Sequence, residues 1–250
     1  MSDLHVVSVG RNAGEFVNKC VESVRLQTYP PHTHIVVDDV SDDNTRLHIN
    51  ALPPRDSLEI KLNSTRQYRL KNIYDNAIHK KPDDIICILD TDDWLTTNTA
   101  LEEIKKTYDE NPELEYVYSN YVFSNGTPGN NHAIPDASWN PYQSRWITSH
   151  MCTFKAKALQ RVDPLNFLNQ TGSWFEIGTD HALALPLLWQ IRATHGDYSA
   201  VKFINKPFYC YLFDGNDAKL RQGAEADERA YAAMSNAAFI KNRGYTTSPL

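Results

Sequence analysis

The chain has 250 residues, 41% hydrophobic and 11% aromatic, which suits one large domain or one domain with an elaborated C-terminal part. A formal net charge of −6 argues against a broad nucleic-acid-binding surface, so a phosphate-bearing ligand has to be met by a metal or by a few local cations. The sequence holds no run of 18 apolar residues and its first residues do not resemble a signal peptide, and the cysteines Cys20, Cys87, Cys152 and Cys210 lie far apart. The expectation is a cytoplasmic protein with reduced thiols and no membrane-spanning helix.

Residues 4–9 read as a short apolar strand, followed by Gly10-Arg11-Asn12-Ala13-Gly14. Residues 15–27 have helical spacing, with Phe16, Val17, Cys20, Val21 and Val24 on one face. The two glycines lack the third member of a dinucleotide fingerprint, and no phosphate-binding P-loop sequence occurs. A strand at 34–37 ends in Asp38-Asp39, and Ser41-Asp42-Asp43-Asn44 caps a helix. A strand at 58–62 leads to a helix at 66–79, which Pro82-Asp83-Asp84 ends. In that helix Arg66 and Arg69 are expected on one face.

Residues 85–89 are all apolar and predict a strand buried on both faces. It delivers Asp90, Asp92 and Asp93, carboxylates that repel one another unless a cation holds them. The carboxyl end of such a strand is where open α/β sheets bind ligands. Oxygen-only ligands point to Mg²⁺, Mn²⁺ or Ca²⁺, with Asp92 the first ligand. A helix at 98–111, a tyrosine-rich strand at 116–123 and a loop at 124–142 rich in Asn, Gly, Pro and Ser follow. Beyond it come a strand at 150–154, a short helix at 155–161, and an apolar helix at 182–191 interrupted by Pro186 and entered through Asp180. A strand at 201–212 and a helix at 224–242 close the pattern. The alternation predicts an α/β fold with a mainly parallel twisted sheet flanked by helices.

Several motifs together resemble the inverting GT-A glycosyltransferases of family 2. They are Val9-Gly10-Arg11-Asn12, the helix end Val21-Glu22-Ser23-Val24 with Gln27-Thr28-Tyr29-Pro30, the run from Ile35 through Asp38-Asp39 to Thr45, and Leu89-Asp90-Thr91-Asp92-Asp93. Val40 stands where that family usually has glycine, and Thr179-Asp180 stands for its later acidic pair.

The resemblance implies a Rossmann-like GT-A fold in which residues 1–123 bind the nucleotide-sugar and carry the DxD motif, while 124–250 bind the acceptor and supply the catalytic base. It implies a metal-dependent, inverting transferase that moves a sugar from a nucleoside diphosphate sugar, UDP-sugar foremost, to a hydroxyl of a glycan, protein-linked or lipid-linked acceptor. A lipid-linked acceptor would bring peripheral membrane contact. Donor contacts are expected at Val9, Gly10, Arg11, Asp39 (to uracil or ribose), Arg69, Lys71, Asp90 and Thr91. Mn²⁺ or Mg²⁺ is expected on Asp92 with Asp90, and Asp180 is the expected general base, with Glu176 the next choice. His150 and His181 are candidates for a third metal ligand or for the acceptor pocket. Trp94, Trp139, Trp146 and Trp174 are candidates for stacking on a sugar, Trp174 first. Three alternatives stand beside this reading: a nucleotidyltransferase, a phosphohydrolase with Asp90 as nucleophile, and a non-catalytic sugar-binding relative.

Overall fold

The computed structural model describes residues 2–213 and 224–247. Its first half alternates strand and helix: β1 (Leu4–Gly10), α1 (Phe16–Arg25), β2 (Thr33–Asp38), α2 (Thr45–Asn50), β3 (Leu58–Leu62), α3 (Tyr68–Ala77) and β4 (Ile85–Asp90). The two-residue strand β5 (Trp94–Leu95), α4 (Ala100–Glu110) and β6 (Tyr116–Phe123) follow. Residues 124–151 contain no helix and no extended strand. The remainder is β7 (Cys152–Lys155), α5 (Ala156–Gln160), a 3-10 turn (Pro164–Phe167), α6 (Thr179–His195), β8 (Val201–Tyr211) and α7 (Ala224–Arg243). Of the expected C-terminal half, residues 214–223 and 248–250 lie outside the described residues.

The eight strands form one sheet in the order β3-β2-β1-β4-β7-β6-β8-β5. Neighbours from β3 to β4 are parallel, β7 runs antiparallel between β4 and β6, β8 is parallel to β6, and β5 is antiparallel to β8. The expected mainly parallel α/β sheet is therefore present. Period-two alternation divides its two faces. Val7, Val9, Ile86 and Ile88 pack on one side with Leu70, Ile73 and residues of α6. Leu4, Val6, Ile85, Cys87 and Leu89 pack on the other with Cys20 and Val24 of α1 and Leu101 and Ile104 of α4. Strand β4 is thus covered on both faces, as its unbroken apolar run requires.

The helix expected at 182–191 with a break at Pro186 is instead a continuous α6 with Pro186 inside it. Proline removes one backbone bond and crowds the preceding turn. Here the helix is apolar on every side and residues 182–188 are all buried, so packing holds the turn that propensity would open. No helix among the described residues is long and apolar enough to cross a membrane. All four cysteines are free thiols.

The parallel register sets the site. Val9 lies beside Asp90 and Gly10 beside Asp38, so the carboxyl ends of β1, β2 and β4 present their side chains together. At the opposite edge Glu115, just before β6, is buried with Arg161 and His195 on its carboxylate. Burial raises its pKa, but the Arg161 bonds and the charge on His195 outweigh burial and hold it below the ordinary glutamate range. A lowered folded pKa stabilises above the unfolded value and is lost as pH falls through the folded one. Glu115→Gln should therefore cost about 3 kcal/mol at pH 7 in urea unfolding. The difference from wild type should shrink as the pH is lowered through 4, and a pH-independent difference would refute the ionic assignment.

Candidate active site

Asp90 ends β4, Arg69 lies in the first turn of α3, and Asp180 is the second residue of α6. Arg69 joins the two acids. Its Nε donates to Asp90 Oδ1 at 2.6 Å, and Nη1 lies 2.9 Å from Asp180 Oδ1 and 3.3 Å from the Thr179 hydroxyl. Burial raises the Asp180 pKa, yet Arg69 and then His150 and His181 pull it below the ordinary aspartate value. Asp180 stays ionised while its side chain keeps 45% of its exposure. A carboxylate at the start of a helix is also favoured by the backbone dipole.

The three clustered carboxylates divide their roles. Asp93 is buried, and its oxygens accept from the Tyr209 hydroxyl and, at 2.7 Å, from the Leu212 N–H. Burial, then Asp92 and Asp90, push its pKa well above the carboxylate range. The same Tyr209 oxygen accepts from the Asp90 N–H at 3.2 Å. Crowding of like charge is eased within the chain: Arg69 pairs with Asp90, and Asp93 turns inward onto Tyr209 and the Leu212 N–H. Asp92 is exposed and Asp90 half-buried beside it. This small, all-oxygen donor set fits Mg²⁺ or Mn²⁺, which complete their shells with water and substrate phosphates rather than with a protein cage.

Gly10 is required by contact. A Cβ there would lie 1.7 Å from Thr91 Oγ1, and that buried hydroxyl has no hydrogen-bond partner in the protein. Val9, whose carbonyl accepts from the Thr91 N–H at 3.3 Å, completes this contact between β1 and the turn after β4. Val9, Gly10, Asp90 and Thr91 are therefore brought together.

Asp39, the residue expected at the base or ribose, is held by the chain on both oxygens. Its Oδ1 accepts from Asn63 Nδ2 and the Gln67 N–H, both at 2.8 Å, and its Oδ2 from Arg66 Nε at 3.0 Å and the Tyr68 N–H at 2.8 Å. All four acceptor positions of the carboxylate are taken by the chain itself. Asp38 is likewise held by Arg46 at 2.6 Å and by Ser41. Arg11 donates to the Val40 carbonyl at 3.0 Å and to Asp42 at 2.5 Å, so it ties two loops together. The expected shared face of Arg66 and Arg69 is not formed: Arg66 precedes α3 and serves Asp39, while Arg69 serves Asp90. Lys71, two residues on and so across the helix, pairs with Asp75 at 2.6 Å and is not drawn to Asp90.

A cavity of about 20 Å³ opens beside Asp180, walled by Arg69, Trp146, Thr148, His150 and Leu183. Trp146 stacks on His181 at 4.4 Å and His150 on Tyr209 at 4.6 Å. Trp174, the first choice from sequence, instead packs against Tyr74 and Phe167. Trp139 is buried, and Trp94 lies under the Lys19 ammonium. Glu176 is exposed and hydrogen-bonded to the Tyr68 phenol. Tyr209 and Thr148 had no sequence signal, because only the fold carries them to β4.

The family model described as "Glycosyl transferase family 2" matches residues 6–175. The chain belongs to this family. Its family is one of glycosyltransferases, and its fold is the GT-A fold of its solved neighbours. S. aureus TarS superposes with a TM-score of 0.61 at 14% identity over 94% of this chain, which spans 43% of TarS. TarS 1-349 in complex with UDP-GlcNAc gives 0.62 at 16% identity over 99% of this chain and 68% of that one. Mannosyltransferase PcManGT from Pyrobaculum calidifontis, in complex with GDP-Man and Mn2+, gives 0.53 at 14% identity over 96% of this chain and 73% of that one. At these identities the likeness concerns the fold. No curated protein matches the chain.

The family motif bears on one strained residue. Val40, at the usual glycine position, has φ of +64°, a left-handed conformation costly for a β-branched side chain. Val40→Gly should stabilise the protein by about 1 kcal/mol, the relieved strain exceeding the entropy glycine adds to the unfolded chain. Thermal unfolding should show this as a rise of about 2–4 °C. A lower melting temperature would mean that packing of the valine methyls outweighs the strain.

Proposed function

We propose that this chain transfers a sugar from a nucleoside diphosphate sugar, UDP-sugar foremost, to an acceptor hydroxyl in a single displacement that inverts the anomeric centre. The observation that carries this reading is the Arg69 bridge, which holds an ionised Asp180 beside the strand end that carries Asp90 and Asp92. Residues 1–123 form the donor half and 124–250 the acceptor half.

Asp180 takes the proton of the acceptor hydroxyl as that oxygen attacks the sugar carbon from the side opposite the diphosphate. Trp146 and His150 shield this approach from water, and Thr148 lines it. Arg69 keeps Asp180 ionised and oriented, and its positive charge lies close to where the leaving group gathers negative charge. Asp92 and Asp90 would hold Mg²⁺ or Mn²⁺, which supplies Lewis-acid stabilisation of the departing diphosphate. Gly10 and Thr91 let the donor approach the backbone closely. Asp39 acts by fixing the 63–68 segment and Arg66. A base or ribose hydroxyl reaching Asp39 has to displace Asn63 or Arg66. The UDP-GlcNAc and GDP-Man of the solved neighbours support a nucleotide-sugar donor in this cleft.

Asp180→Asn should leave UDP affinity within about twofold and lower turnover roughly 10²–10⁴-fold, measured with UDP-sugars and Mn²⁺. Retained turnover would refute the base. Asp92→Asn should abolish metal-dependent UDP binding in calorimetry, and unchanged binding would refute the metal ligand.

Because the Asp180 pKa is lowered, its protonation should leave kcat/KM flat down to the ordinary carboxylate range. Arg69→Gln removes the counter-charge and should move that acid limb up by about 1–2 pH units. An unmoved limb would show that Arg69 does not tune the base.

A further inference from the structure

At the other end of the strands lies a second group of ligating side chains that the transfer reaction does not use. Asp3 and His5 are two residues apart and so share a face at the start of β1. Pairing of Leu4 with Ile85 brings Asp84, in the turn before β4, beside Asp3, whose N–H donates to its carboxylate at 3.1 Å. The His32 N–H donates to the Leu4 carbonyl at 2.7 Å, which places His32 next to the same strand. One ligand atom each of Asp3, His5 and Asp84 lies within 4.8 Å of the others, the one such triple of acidic, imidazole or thiol groups among the described residues. His32 Nδ1 is 3.8 Å from Asp3 Oδ1, and its ring meets that of His5 edge-on at 5.4 Å.

We propose that Asp3, His5 and Asp84, completed by His32, bind a zinc ion that ties together the starts of β1, β2 and β4. The independent sign is His5 itself. It is 3% exposed, its Nδ1 has no hydrogen-bond partner, and its Nε2 makes only a long 3.4 Å contact to Asp84 Oδ2. The Nε2–Oδ2 separation is long for a hydrogen bond and close to the spacing of two donors held on one ion, although Oδ2 also accepts from the Lys81 N–H at 3.1 Å.

Two imidazoles and two carboxylates suit four-coordinate zinc, with bonds of about 2.0–2.2 Å, better than the oxygen-seeking ions that suit Asp92 and Asp90. Lys81 is the resident competitor: its ammonium lies 3.1 Å from Asp3 Oδ2, and its side chain is 76% exposed and free to swing away. The strand ends carrying the two sites are about 20 Å apart along β1, so the sites can be tested separately.

The experiment titrates the chelator-treated full chain, carrying Asp92→Asn to silence the donor site, with Zn²⁺ by calorimetry and with Co²⁺ by visible absorption. One equivalent of zinc should bind, Co²⁺ should give the intense band of tetrahedral coordination, and saturating zinc should raise the melting temperature by about 5 °C. Asp3→Asn and His32→Gln, both at exposed or half-exposed positions, should weaken zinc at least tenfold. Lys81→Met should tighten it, a gain that a purely structural salt-bridge network does not predict. His5→Gln should abolish binding, and if that buried change prevents folding, the His32→Gln and Lys81→Met arms decide. Absence of a zinc equivalent in the Asp92→Asn chain, or unchanged affinity in both Asp3→Asn and His32→Gln, would overturn the site.

Discussion

Arg69 is the group on which the catalytic end of the molecule depends. Three carboxylates within four residues cannot remain charged together without a strong repulsion: two like charges 4 Å apart repel by about 4 kcal/mol even at an effective dielectric of 20. The chain resolves this internally. Arg69 neutralises Asp90, Asp93 is buried on Tyr209 and Leu212, and only Asp92 is presented outward. The same guanidinium then reaches Asp180, from a helix far along the chain, and sets its ionisation. The end of β4 and the start of α6 are coupled through one side chain.

The loops around this bridge are fixed by side chains that sequence comparison alone would assign to the ligand. Asp39 accepts four hydrogen bonds and so pins residues 63–68, including Tyr68 at φ of +61°. Asn12, itself at φ of +59°, trades hydrogen bonds with Asp42, and Arg11 closes on the Val40 carbonyl. Asn12, Val40 and Tyr68, non-glycine residues with positive φ, lie in the segments after β1, β2 and β3, and local strain of this kind persists only where surrounding bonds over-determine the backbone. Here they do, because Arg11, Asn12, Ser41 and Asp42 knit the loop after β1 to the loop after β2. The strain is the cost of presenting a preformed rim instead of two floppy segments.

Much of this was legible in the sequence, and the boundary is physical. The strands at 58–62 and 116–123 and the doubly buried run of β4 follow from apolar periodicity, which is local. The acids at strand ends follow from the same logic, because a buried strand can carry a carboxylate only where it emerges. What the sequence does not carry is the identity of each side chain's partners. Nothing local to Asp39 reveals Asn63, Arg66 and the Tyr68 N–H; nothing local to Trp174 reveals that Tyr74 and Phe167 will cover it while Trp146 takes the cavity wall. Pro186 misled for the complementary reason: a local rule against helix gave way to burial on all sides of α6.

The segment at 124–151 carries that lesson furthest. Its Asn, Gly, Pro and Ser content gives no period to read, yet it builds the wall opposite Asp180. One buried amide organises it. Asn131 Nδ2 donates to the carbonyls of Ser119 at 2.8 Å and His150 at 2.7 Å, and its Oδ1 accepts from the Ser149 N–H at 2.9 Å. An asparagine that satisfies three backbone groups at once replaces the ladder that a strand would have provided. It sets where Thr148, Ser149 and His150 stand relative to Asp180. This wall of the cavity thus rests on a long-range hydrogen-bond pattern, the kind of information that composition discards and only a folded chain contains.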